Sequence, residues 1–152
     1  MKTSRQKGAQ VVEFALILPF LIVVIFAVLD FGILVYDKAI LTNATREAAR
    51  KGIILSAATW SPASIKQVAC DYARSALITV STGSRNATCT GIADPVVTMT
   101  PTAAPVFGAP VTVSISYAVK GFSLGTWWSL GTGTTAIGSA ITLVSSTQMA
   151  HE

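Results

Sequence analysis

From Val11 to Leu29 the chain is an almost unbroken apolar run of Val, Ile, Leu, Phe and Ala, with Glu13 as its one charged residue. A helix of about 19 residues rising ~1.5 Å per residue nearly covers a ~30 Å hydrocarbon core. Past Asp30 the apolar character resumes in Phe31, Ile33, Leu34 and Val35 and reaches Tyr36, the kind of side chain that sits at a headgroup boundary. This pattern predicts a membrane-spanning helix over 9–36. Helical patterning then continues from Asp37 to Lys51. Ala39, Ile40, Ala44 and Ala48 fall on one side, Arg46, Glu47, Arg50 and Lys51 elsewhere, and Gly52 is a plausible stop. One helix from about Ala9 to about Lys51 would be roughly 43 residues, or ~65 Å.

The polar and apolar positions change rhythm twice more. Ser61-Pro62 offers a cap followed by proline at the first helical position, and Ser64 with Gln67 could form a capping box. Ile65, Val68, Ala69, Tyr72, Ala76 and Leu77 then recur at three- and four-residue spacing, which predicts a second, short helix. After Val80, Thr, Ser, Gly and Pro rise and charge nearly vanishes. Pro95 to Thr100 reads as a short strand. Val111, Val113, Ile115, Tyr117 and Val119 alternate with Thr, Ser, Ser and Ala, the clearest strand signal in the chain. Ala140 to Thr147 reads as a third strand. The expected fold class is α+β: a long N-terminal helix with a transmembrane half and an external half, a short second helix, and a small antiparallel sheet. The sequence contains no internal repeat.

Composition agrees with one small domain on an apolar anchor: 152 residues, 51% hydrophobic and only 12% charged. Charge sets the orientation. Lys2, Arg5 and Lys7 precede the span with no acidic residue among them, while Asp30 and Asp37 lie at its far end, which places the N-terminus in the cytoplasm. Those three cations account for all but one unit of the formal net charge of +4, so the excess is a topology signal and no argument for a nucleic-acid partner. The expected organisation is a basic leader at 1–8, the transmembrane helix at 9–36, and an extracytoplasmic α+β domain at 37–152 that continues the helix to about 52. Two alternatives stay beside this one. A removed secretory signal would have a shorter apolar core and a better cleavage site than Ala27-Val28-Leu29-Asp30. A permanently anchored, unprocessed periplasmic scaffold or binding module would need no special N-terminal residues.

Glu13 argues for more than an anchor. A carboxylate inside a span is costly unless it is paired or near the interface, so it is a functional position by default. Cleavage after Gly8 would make Ala9 the new N-terminus and Glu13 its fifth residue. A free α-amine, with a reference pKa near ~7.7–8.0, is largely charged. In a helical assembly the Glu13 carboxylate of one subunit could meet the Ala9 ammonium of a neighbour, each neutralising the other.

The string Gly8-Ala9-Gln10-Val11-Val12-Glu13-Phe14-Ala15-Leu16, followed by Pro19, resembles the N-termini of type IV pilins and pseudopilins. It is most similar to the TadE-like pseudopilins, the minor pilins of tight-adherence (Tad) pilus systems. The resemblance continues in Asn43-Ala44-Thr45-Arg46-Glu47-Ala48-Ala49-Arg50-Lys51-Gly52 and so covers about the first third of the chain. Type IV pilins usually carry phenylalanine at the first mature position, where this chain has Ala9. The resemblance implies a pilin-like fold and a structural and assembly role in a Tad-like pilus or secretion machine, with adhesion as its wider setting. It implies processing at Gly8 and Ala9 by a prepilin peptidase and assembly through Glu13 and Phe14. The implied partners are the membrane, the peptidase, other pilins or pseudopilins, and an inner-membrane assembly platform. The implied location is the bacterial inner membrane, single-pass, with the C-terminal domain periplasmic or extracellular and the pilus as a further destination.

Other positions carry two readings each. Pro19 is either a mild kink or a local melt that lets the helix extend in a fibre. Asp30 lies at the outer interface or makes a second intramembrane contact. Arg46 and Arg50, four apart, form a solvated stripe or a subunit contact. The segment from Phe122 to Gly133, with Trp127 and Trp128, is a loop capping the core or an exposed apolar tip. Cys70 and Cys89 are the only cysteines, and in an oxidising compartment they read as one disulfide, which by the chain-entropy model contributes roughly 3 kcal/mol. His151, the sole histidine, is read as a solvated tail residue, so no metal site is expected. No catalytic residues, cofactor, small-molecule substrate or nucleic-acid partner is expected: there is no Ser-His-Asp set and no Walker-type phosphate loop. The Asn-x-Thr matches at Asn43 and Asn86 are of a kind common by chance.

Overall fold

The computed structural model describes residues 4–56, 58–78, 89, 94–119 and 141–151, with only the backbone of 4–7. The aromatic segment 122–133, the Asn86 match and Ala140, the expected first residue of the third strand, lie outside the described residues.

Two helices and one sheet follow in chain order: α1 (Ser4–Ile54), α2 (Pro62–Ala76), β1 (Val96–Thr100), β2 (Pro110–Val119) and β3 (Ile141–Ala150). This is the α+β arrangement expected from the sequence. At 51 residues α1 spans about 76 Å. Pro19 lies inside it without ending it.

The sheet is antiparallel with strand order β1-β2-β3. Ile115 of β2 stands between Val97 of β1 and Ser145 of β3, and Val113 between Met99 and Thr147. The period-two pattern of β2 puts Val111, Val113, Ile115, Tyr117 and Val119 on the covered face. Thr98, Ser114 and Ser146 share the opposite face, where the Ser114 hydroxyl donates to Ser146 Oγ at 2.8 Å.

The upper part of α1 lies over the covered face beside α2. Its buried stripe is Asp37, Leu41, Ala44, Thr45, Ala48, Ala49 and Gly52, at helical spacing. Most of these residues are small, so the sheet and α2 approach the helix axis closely. The expected stripe of Ala39, Ile40, Ala44 and Ala48 is therefore rotated: Ala39 is exposed and Ile40 half-buried.

Gly52 does not stop the helix, which runs on to Ile54. A Cβ at Gly52 would sit 3.1 Å from Val111 Cγ1 and 3.5 Å from Ile65 Cδ1, so this glycine serves helix–sheet contact. In α2, Ser61 is the cap and accepts from the Ser64 backbone N–H at 3.3 Å. Ser64 thus lies one turn inside the helix and no Ser64–Gln67 capping box forms. Gln67 Nε2 instead donates to Asp71 Oδ1 at 2.8 Å. The face that α2 buries is Ile65, Ala69, Cys70 and Ala73, while Tyr72 of the expected stripe is exposed.

β3 extends past the expected Thr147 because its last residues still pair with β2, Ala150 opposite Pro110. His151 continues the ladder, donating from its N–H to Ala109 O and accepting from the Gly108 N–H. It is no solvated tail residue. Its ring is half-buried, stands edge-on to Trp60 with centroids 6.1 Å apart, and places Nε2 3.1 Å from Leu55 O.

Candidate functional site: the bare half of α1 and its junction with the head

The lower part of α1 is the most unusual surface in the molecule. From Gly8 to Leu29 every residue except half-buried Phe26 is exposed, and Val11, Val12, Phe14, Leu16, Ile17 and Phe20 are all more than half exposed. An apolar patch of this extent in water is not tolerated by an isolated soluble protein and marks a surface covered by something else. Residues Gly8–Ile54 form one helix long and apolar enough to cross a membrane.

Glu13 stands on this surface, and Phe14 beside it. Ala9 is one turn below Glu13 on the same face, as the i, i+4 spacing requires. Within one intact chain the Ala9 nitrogen belongs to a peptide bond, so it offers Glu13 no ammonium. Gly8 is also exposed, and a Cβ there would meet nothing within 4 Å. No packing among the described residues requires a glycine at that position, in contrast to Gly52. Arg46 and Arg50 are exposed on the upper part of the helix.

The junction contains residues whose role the sequence did not announce. In the sequence Asp37 marks only topology. It is fully buried, and its Oδ1 accepts from the Ile78 backbone N–H at 2.9 Å, tying the chain that leaves α2 to α1. Its spacing to Leu41, Ala44 and Ala48 on one helical face was the available signal. Two turns on, Thr45 is buried with its hydroxyl 2.8 Å from Thr147 Oγ1, 3.4 Å from Ser145 Oγ, and donating to Thr42 O at 2.9 Å. Ser145 Oγ in turn donates to Thr42 Oγ1 at 3.3 Å. Lys38 Nζ donates to Val144 O. These contacts pair 38 with 144, 45 with 147 and 55 with 151, so α1 and β3 run parallel, from the bare half of the helix (the base of the head) to the far end (its tip).

Cys70 and Cys89 are joined by a disulfide with Cα atoms 6.0 Å apart, Cys70 being fully buried in α2. Among the described residues no cluster of three or more His, Cys, Asp or Glu side chains could hold a metal ion.

A small α+β head on one bare apolar helix defines an architecture compatible with single-pass membrane anchoring. Residues 8–50 match the family model of TadE-like proteins, from the glycine before Ala9 to Arg50 near the end of α1. Over that segment the chain is similar to TadE-like proteins. The match stops short of α2 and the sheet. No curated protein and no solved structure matches the chain.

Proposed function

We propose that this chain is a minor pilin or pseudopilin: a structural and assembly component of a Tad-like pilus or secretion machine, without enzymatic activity. In this reading α1 holds it in the bacterial inner membrane with the N-terminus in the cytoplasm and the head in the periplasm. Residues 1–8 are a leader removed by a prepilin peptidase, 9–36 the membrane-spanning helix, and 37–152 the external domain. Its partners are that peptidase, other pilins, and the assembly platform.

The observation that carries the proposal is Glu13 on a wholly exposed apolar helix, inside a segment that matches TadE-like proteins. Among the described residues of one chain nothing compensates such a carboxylate in lipid. After cleavage at Gly8, the ammonium of Ala9 on a neighbouring copy or another pilin supplies the missing charge. The change in burial at Asp37 supports the boundary at 36, and the unpacked Gly8 supports recognition of that glycine by something outside the chain.

N-terminal sequencing of the protein purified from membranes of cells with an active prepilin peptidase should begin at Ala9. A chain still beginning at Met1 or Lys2 there overturns the processing step and leaves a permanently anchored scaffold as the better account.

A further inference from the structure

The head exposes large aliphatic side chains at its base as well as at its tip. At the base these are Ile78 (43% exposed), Val96 (60%), Ile141 (53%) and Val144 (53%). They come from three different places: the chain leaving α2, the first residue of β1, and the start of β3. Independent contacts place Ile78, Val96 and Val144 at nearly one height. The Ile78 backbone N–H donates to Asp37, Lys38 Nζ donates to Val144 O, and Val96 and Val144 both stand opposite Ser116 in the ladder. Ile141 lies three residues below Val144, ~10 Å further toward the bare helix. An open groove of about 410 Å³ between Leu34 and Val35 of α1 and Leu143 and Val144 of β3 joins this level to the apolar helix surface.

We infer that the base of the head is a lipid-docking surface, on which Ile78, Val96 and Val144 rest at the headgroup–acyl boundary of the leaflet that α1 leaves, with Ile141 below them. The inference builds on the membrane-anchored reading of α1. The apolar surface is continuous: Phe31 and Val35 are exposed on the helix immediately below, and the groove carries that surface onto β3 without interruption. Ile78 lies beside α1, while Val96 and Val144, in register with Ser116, lie on the sheet face turned away from it, so at one level the residues stand on two sides of the head and describe a plane across the helix axis. A bilayer presents such a plane, whereas a protein partner would cover one flank. Charge agrees: at this level Lys38 is exposed, while Asp37 and Asp94 are buried, so among the described residues the rim offers a cation and no exposed carboxylate to lipid phosphates. Docking fixes the height and tilt of the head above the membrane.

The test uses the full chain in phosphatidylethanolamine–phosphatidylglycerol vesicles, with one nitroxide label at a time on V24C, V96C, V144C or F107C and the native disulfide verified by mass. Power saturation compares accessibility to oxygen with that to a water-soluble nickel chelate. Positions 96 and 144 should read a depth between that of 24, in the hydrocarbon, and that of 107, in water. If 24 reads deep while 96 and 144 are as open to the nickel chelate as 107, the docking surface is overturned and the anchored reading stands. If 96 and 144 are shielded from both reagents and show spin–spin broadening that fades on dilution with unlabelled protein, a second copy covers the base and the lipid is the wrong occupant. A label at 24 in water overturns the docking surface and the spanning helix together.

Discussion

Residues 11–36 and residues 37–54 belong to one uninterrupted helix, yet they are built for different neighbours. The lower half carries bulky Val, Ile, Leu and Phe around its circumference and is mostly exposed among the described residues until Leu34 and Val35 approach β3. The upper half carries Ala, Thr and Gly on one stripe and is covered by α2 and the sheet. Size, more than polarity, separates them. Where a defined partner from the same chain must come close, the side chains are small. Where the surroundings are fluid or supplied by other molecules, they are large.

The comparison breaks most severely if the core of the head is not where the covered half of α1 puts it. Ile115, fully buried at the centre of β2, is the strongest probe: Ile115→Ala should destabilise the head by about 2–5 kcal/mol. Chemical unfolding followed by a head-specific signal measures this, and a loss well under 1 kcal/mol would remove the sheet–helix core from the account.

A pair of glycines sharpens the contrast on the helix itself. Gly52→Val forces methyl groups against Val111 and Ile65 at a cost of ~1–3 kcal/mol, against a gain of only a few tenths of a kcal/mol, because β-branched valine is itself a poor helix former. The net loss should be about 1 kcal/mol in the same unfolding experiment. Gly32→Val, where an added Cβ meets nothing within 4 Å, should leave the head's stability unchanged. Equal effects at the two positions would mean that the halves do not differ in packing.

The smallest effect on the head belongs to Glu13. Glu13→Gln keeps the side chain's shape, removes its charge, and lies far below the head. Unfolding of the head should not change, and membrane insertion, the disulfide and cleavage after Gly8 should survive. Co-isolation with other pilins should be lost or greatly weakened. Wild-type recovery of those partners with the Gln variant would make Glu13 a tolerated interfacial charge.

The elements were legible because each rests on a local signal. The length of α1 follows from an apolar run joined to a small-residue stripe, the start of α2 from Ser61-Pro62, and β2 from strict alternation. What escaped is set by contacts between distant segments. Gly52 looks like a helix stop because glycine usually is one, and only the approach of Val111 shows its other use. His151 looks like a tail because it is next to last, until the pairing of β3 with β2 carries it to Trp60 and Leu55. The buried face of α2 passes through Cys70 and Ala73 because the disulfide and the approach of α1 select the smaller side chains over Tyr72. The positions proposed for processing and assembly were legible for the opposite reason. Gly8 and Glu13 have no packing or pairing role among the described residues, and such residues stand out against a uniform apolar background.

The parallel course of α1 and β3 has a mechanical consequence. A pull along α1 with the head held back does not peel the helix off residue by residue. It loads the Lys38–Val144, Thr45–Thr147 and His151–Leu55 contacts together in shear, because they are spaced along the direction of the force. Contacts sharing a load must yield almost at once, whereas contacts opened in sequence fail singly. A helix drawn upward therefore carries its head along as one rigid body.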